Sequence, residues 1–170
     1  GDCNFSLVQF DSQGMESQIE WLMESKSLIS VDALPTFTPR GGTPLYDALG
    51  DTITRVGARL RALPEESRPE RVVFVIITDG QENSSQKFRR AEIADKIRHQ
   101  TETYNWDFLY LGANVDAYAE AQSIGIPTRS ARNYMADTVG VKGMYAASNS
   151  VLSNVRAGGT ADFVDSKDTN

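Results

Sequence analysis

The spacing of apolar residues changes character several times along the chain, and each change marks an element. Phe5-Ser6-Leu7-Val8-Gln9-Phe10 alternates loosely and stops at Asp11-Ser12-Gln13-Gly14, a cluster of turn formers. This predicts a strand running into a hairpin, with Asp11 and Ser12 as turn residues and Gln18 to Met23 as the returning strand. An extended link from Pro35 to Pro39 leads to the tight loop Arg40-Gly41-Gly42-Thr43-Pro44. Pro44, with its fixed φ and missing N–H, suits the first position of a helix, and Thr43 suits its N-cap. Leu45, Leu49, Ile53, Val56 and Leu60 then recur at helical spacing.

Val72-Val73-Phe74-Val75-Ile76-Ile77 is a continuous β-branched and aromatic run, as expected of a strand buried on both faces in a parallel sheet. It ends abruptly at Thr78-Asp79-Gly80. A polar-apolar helix is predicted from about Lys87 to Tyr104, with Ile93, Ile97 and Thr101 on one face. Trp106 to Leu111 forms a further apolar strand, closed by Gly112-Ala113-Asn114. Asp116 to Ser123 reads as a short helix, Ser130 to Met135 as a weak edge strand and Gly140 to Val155 as a closing helix. From Ala157 the chain turns rich in Gly, Thr, Asp and Lys, the composition of a mobile tail. The expected organisation is one domain over residues 1–156 and a flexible tail over 157–170.

Strands alternating with helices predict an α/β protein: a three-layer α/β/α sandwich around a mostly parallel sheet with one antiparallel edge strand. In such sheets ligands gather beyond the C-terminal ends of the strands. Asp79 directly follows a core strand and Thr43 opens a helix, which predicts that both lie on that rim.

Composition narrows the function. A length of 170 residues with 40% hydrophobic residues suffices for one domain with a real core. The net charge of -6 excludes a broad nucleic-acid-binding face, which needs clustered Lys and Arg. Cys3 is the single cysteine, which excludes an intrachain disulfide and a thiolate zinc site and fits a reducing compartment. No apolar run approaches the roughly 18 residues of a membrane span, and the N-terminus lacks the pattern of a signal peptide. A cytoplasmic protein without a membrane partner is therefore expected. The start at Gly1, without Met and almost directly before a strand, suggests a cut or processed end.

Several residues have simple structural readings. His99 stands alone on a charged helix, with no nucleophile in a recognisable setting, so a catalytic triad is not expected. Lys87, Arg89 and Arg90 read as a salt-paired helix face. Gly158-Gly159 lacks the strand-loop-helix setting and the Lys of a phosphate-binding loop. Glu82, Asn83 and Ser84 suit the cap of the helix that follows them. Asp47, one turn after Thr43, can brace the loop or meet the N-terminal dipole of its helix.

Thr43 and Asp79 offer a hydroxyl and a carboxylate with no nearby His or Cys. That donor set suits a hard cation, Mg²⁺ or else Mn²⁺ or Ca²⁺, more than zinc or copper. Such an ion keeps several waters and one open position, which a partner's carboxylate can fill. The outcome is binding without bond breaking.

These residues carry a resemblance. Arg40-Gly41-Gly42-Thr43-Pro44-Leu45-Tyr46-Asp47-Ala48-Leu49 resembles the Gly-Gly-Thr loop and following helix of von Willebrand factor A domains. Val73 to Gly80 is similar to their fourth strand with its Thr-Asp-Gly end, Phe5 to Ser12 to their second strand and Phe108 to Ala113 to their fifth. The style of Asp79-Gly80-Gln81-Glu82-Asn83-Ser84-Ser85 resembles bacterial or phage members. The resemblance spans about Phe5 to Val155. It implies a metal-ion-dependent adhesion site in which Thr43 is a direct hydroxyl ligand and Asp79 an outer-sphere, water-mediated carboxylate. Asp47, Asp11, Ser12 and Glu82 are candidates for supporting positions around it.

The chain departs from the family pattern at its first motif. Asp-x-Ser-x-Ser, which follows the first, central strand, has no counterpart before Phe5, and Asp162-Phe163-Val164-Asp165-Ser166-Lys167-Asp168 does not fit it. The central strand is likewise expected to be absent. A sheet without it would hold two unpaired ladders, each buried amide or carbonyl costing roughly 1 to 3 kcal/mol. A strand from another segment or chain is expected to fill that gap. The function expected is a protein-protein interaction module, not an enzyme, that binds its partner at the rim through a Mg²⁺-dependent adhesion site of which this chain carries only a part, the ion being expected where the first motif is also present. The alternatives are a structural or assembly component completed by a partner strand and, third, a metal-dependent phosphohydrolase.

Overall fold

The computed structural model describes residues 3–27 and 40–163. The extended link at Pro35 to Pro39 lies outside them. The chain forms two compact units: Gly1–Ala62 with Glu82–Arg89, and Leu63–Gln81 with Arg90–Asn170. The protein is of mixed α/β type, and its described strands form two sheets, one antiparallel pair and one parallel trio.

In the first unit, β1 (Asn4–Gln13) and β2 (Glu16–Ser27) pair antiparallel, with Gln13 opposite Glu16. The connection is Gly14-Met15, where Gly14 takes φ 61°, as the first central residue of a type II′ hairpin turn must. The strand therefore runs on through Asp11 and Ser12, which are paired with Gln18 and Ser17 and buried. Their predicted place in the turn is corrected: cross-strand pairing outweighs the local turn preference of Asp and Ser. Helix α1 (Leu45–Ala62) buries Leu45, Leu49, Ile53 and Val56, four of the five positions that the spacing picked out. Arg55 stands over the Trp21 ring at 4.3 Å and pairs with Glu24, so the polar flank of α1 engages β2.

In the second unit, β3 (Val73–Thr78), β4 (Asp107–Gly112) and β5 (Ala131–Asn133) form a parallel sheet in that order. Three helices complete it: α2 (Arg90–Tyr104), α3 (Ala117–Ser123) and α4 (Thr138–Arg156). Strand alternation divides the sheet's faces. Val73, Val75 and Leu109 join Val151 and Val155 of α4 in one apolar cluster, while Phe74 stacks on Trp106 at 5.4 Å and meets Phe108. Asp116 caps α3 by accepting from Tyr118 and Ala119, and Asp137 caps α4 by accepting from Gly140.

Three expectations change. Helix α2 begins at Arg90, not Lys87, because the amides of residues 86–88 bond elsewhere, as described below. Strand β3 is not buried on both faces: Ile77 is 40% exposed, and among the described residues β3 pairs only with β4. The first part of the tail is packed, with Ala161 buried and the Phe163 amide donating to the Arg129 carbonyl at 2.8 Å. Residues 164–170 lie outside the described residues. Asp162, from the segment that does not fit the first family motif, accepts from Arg129 Nε at 3.0 Å.

Candidate functional site

Of the six site residues taken from the sequence, the first unit holds Asp11, Ser12, Thr43, Asp47 and Glu82, and the second holds Asp79. The five in the first unit meet at the start of α1. Gly41 takes φ 51°, and a Cβ built on it would stand 1.7 Å from the Ser12 carbonyl oxygen. The loop backbone thus lies directly on the end of β1. Gly42 N–H donates to Ser12 Oγ at 2.8 Å, and Arg40 Nε donates to Asp11 Oδ2 at 2.8 Å while facing Glu20 at 3.1 Å. A Cβ on Gly42 would lie 2.7 Å from Asn83 Oδ1 and 2.9 Å from both Ser12 Oγ and Ser84 Oγ. Three side-chain oxygens therefore converge where only glycine fits. Asp11 Oδ1 and Ser84 Oγ are buried without a hydrogen-bond partner among the described residues.

Residues 82–85 do not cap the helix that follows them; they cap the start of α1. Glu82 Oε2 accepts from the Tyr46 amide at 3.0 Å, and Ser85 Oγ accepts from the Asp47 amide at 3.1 Å. Glu82 Oε1 also accepts from the Ser84 and Ser85 amides, which curls its own loop around the carboxylate. Short polar side chains satisfy neighbouring backbone in this way when the chain is not helical. A carboxylate at a helix N-terminus is further favoured by the helix dipole. Glu82→Ala is expected to cost about 1 to 2 kcal/mol, read from a urea transition of the first unit, because it frees several amides at once.

Thr43 is held by its backbone. Its N–H donates to Asn83 Oδ1 at 2.8 Å and its carbonyl accepts from the Asn83 amide at 3.2 Å. The Pro44 carbonyl, not that of Thr43, accepts the first helical bond, from Ala48 at 3.0 Å. The predicted N-cap role of Thr43 is therefore corrected, and its hydroxyl makes no hydrogen bond with a described residue.

Asp47 is the organising group of the unit. It is 3% exposed, yet its carboxylate accepts four hydrogen bonds. Oδ1 takes the Lys87 and Phe88 amides, each at 2.9 Å, and Oδ2 takes the Gln86 amide at 2.9 Å and the Ser17 hydroxyl at 2.6 Å. Burial pushes its pKa up, but the bonds from Gln86, Ser17, Phe88 and Lys87 outweigh burial and hold it below the ordinary 3.8. Lys87 pairs with Asp51, and the Phe88 ring fills the space above Gly50, so the predicted basic helix face begins as a loop docked on α1.

In the second unit, Asp79 follows β3 and is exposed, with no hydrogen bond or ion pair to a described residue. Gly80 is turned back by Thr78, whose Oγ1 donates to the Gly80 carbonyl at 2.9 Å and accepts its amide at 3.3 Å. The Ala113 amide donates to the Thr78 carbonyl, so the ends of β3 and β4 stay joined beside Asp79. Tyr134, just past β5, has its phenol pKa raised by burial, then by the charge of Asp79 and by Tyr145. Among the described residues, no group of three or more His, Cys, Asp and Glu side chains stands together to hold a metal. His99 is exposed and meets Thr103 and Tyr104 on its own helix.

Sequence reasoning missed Asn83 and Ser85 as partners of the Gly-Gly-Thr loop. The density of short polar residues after Asp79 was the signal, but their target was non-local. No family model matches the chain, and neither the curated proteins nor the solved structures contain a match.

Proposed function

We propose that this chain is a von Willebrand factor A-like, three-layer α/β module that binds a protein partner at the C-terminal rim of its sheet with the help of Mg²⁺. In this reading the Thr43 hydroxyl is a direct ligand and the Asp79 carboxylate acts through water, as the resemblance implies. The observation that carries it is the uncommitted Thr43 hydroxyl. The Gly42 and Thr43 amides have partners, the Tyr46 and Asp47 amides are capped by Glu82 and Ser85, and the Thr43 hydroxyl has no partner among the described residues. The Asp79 carboxylate likewise has no hydrogen bond or ion pair among the described residues. A hydroxyl and a carboxylate without protein partners fit a hard cation, which keeps water and an open position for a partner's carboxylate.

Isothermal titration with Mg²⁺ tests this reading. The wild type is expected to bind, and the Thr43→Ala, Asp79→Ala double variant to bind about 10- to 100-fold more weakly. Equal affinity in both proteins removes the metal from the proposal.

A second reading, a sheet completed by a strand from another segment or chain, is favoured by the edge of β3 that no described strand covers. That edge presents the backbone of Val73, Val75 and Ile77, beside an exposed Ile77 side chain. Light scattering after size exclusion separates the readings, since a stable monomer across micromolar concentrations counts against addition of a strand from a second copy.

A further inference from the structure

The second unit carries a groove that the rim reading does not use. Two adjoining clefts of 280 and 320 Å³ share Arg132 and Gly143 and run between β5 and α4. Leu111 gives one cleft and Val151 the other an apolar patch, while Ser150, Asn154 and Asp162 give the Val151 cleft a polar side. Tyr134, Met135 and Met144 line one end and Phe163 the other. The wall from α4 is low because Gly140, Gly143 and Ala147 face it. From Gly140 to Asn154 the helix rises about 21 Å, the span of about six extended residues.

Arg132 sits where the clefts meet. It is half-buried and its guanidinium makes no hydrogen bond or ion pair with a described residue, whereas the neighbouring Arg129 is paired with Asp162, which lines the same cleft. A half-buried guanidinium on a chain of net charge -6 is a selective feature, because its planar fork matches a carboxylate. Met135, which lines the Leu111 cleft, is 71% exposed. Met, Tyr and Phe side chains interleaved with polar groups and one Arg have the composition of a protein-binding patch.

We infer that this groove binds an extended peptide segment of a protein partner, in which one Asp or Glu meets Arg132 and apolar side chains on either side enter the two clefts. The site needs no metal and is independent of the rim reading.

Selection from a random heptapeptide phage library on the immobilised protein tests the inference. Recovered sequences are expected to place an acidic residue between Leu, Ile, Met or Phe. The best peptide, synthesised with a fluorophore, is expected to bind at least tenfold more weakly to Arg132→Glu and to Gly143→Trp, and unchanged to Thr43→Ala. A Cβ on Gly143 meets nothing within 4 Å, so the Trp can fill the groove without disturbing the helix. Arg132→Gln serves if Arg132→Glu fails to give the wild-type circular dichroism. Absence of enrichment, enriched peptides without an acidic residue, or unchanged affinity in either groove variant overturns the proposal.

Discussion

Asp47→Ala is expected to destabilise the first unit by about 3 to 5 kcal/mol, the largest effect of any side-chain truncation in that unit. The change removes one acceptor shared by three amides and a hydroxyl. Asp47→Asn should cost a similar amount, because its amide nitrogen must face donors whichever way it is turned. The sequence supplies the probe: of its two tryptophans, Trp21 lies in β2 and Trp106 just before β4. In a Trp106→Phe background, Trp21 fluorescence in urea reports the first unit alone. The pH dependence follows from the sign of the shift. A carboxylate held below its unfolded pKa of about 3.8 contributes stability that is fully present above that value. The contribution is lost as pH falls through the folded pKa. The difference between wild type and Asp47→Asn should therefore be constant from pH 7 to about 5 and shrink below about pH 4. A difference that stays constant down to pH 2, or a loss below 1 kcal/mol at pH 7, would show that the four bonds do not form in solution.

Gly41→Ala is the second large expected effect. The substitution puts a Cβ 1.7 Å from the Ser12 carbonyl oxygen, a backbone atom that moves only with β1, and does so at φ 51°. Overpacking and left-handed strain together are expected to cost about 2 to 4 kcal/mol. Gly14→Ala is the matched control. It has φ 61° but no atom within 4 Å of its Cβ, so it should lose only the conformational part, about 1 kcal/mol. Equal losses at the two positions would mean that the loop does not lie on the end of β1. The same Trp21 measurement decides.

Much of the secondary structure was legible because its signals are local. The β-branched run before Thr78-Asp79-Gly80 became β3, and the spacing of Leu45, Leu49, Ile53 and Val56 became the buried stripe of α1. Asp116 before Ala117 fixed the start of α3. The failures share one cause, competition by partners distant in sequence. Lys87 reads as helical, but its amide is taken by Asp47, forty positions earlier. Asp11 and Ser12 read as turn residues, but pairing with β2 keeps them in strand and the Gly-Gly-Thr loop engages their side chains.

The sequence by itself determined the α/β class, the order of strands and helices within each unit, and the loops that carry Thr43 and Asp79. Periodicity and turn chemistry act over a few residues, and a single chain displays them directly. The tertiary structure decided which polar groups are spent on architecture and which have no partner among the described residues. Thr43, a plausible helix cap in the sequence, is relieved of that task by Glu82 and Ser85. Asp47, read from the sequence as a brace for the Thr43 loop or a partner of the helix dipole, is instead consumed by the amides of residues 86–88. The Arg132 guanidinium, unremarked in the sequence, has no partner among the described residues and lies in a groove that exists only once β5 and α4 are packed. A side chain's availability depends on every donor and acceptor within hydrogen-bond reach, and folding alone sets that neighbourhood.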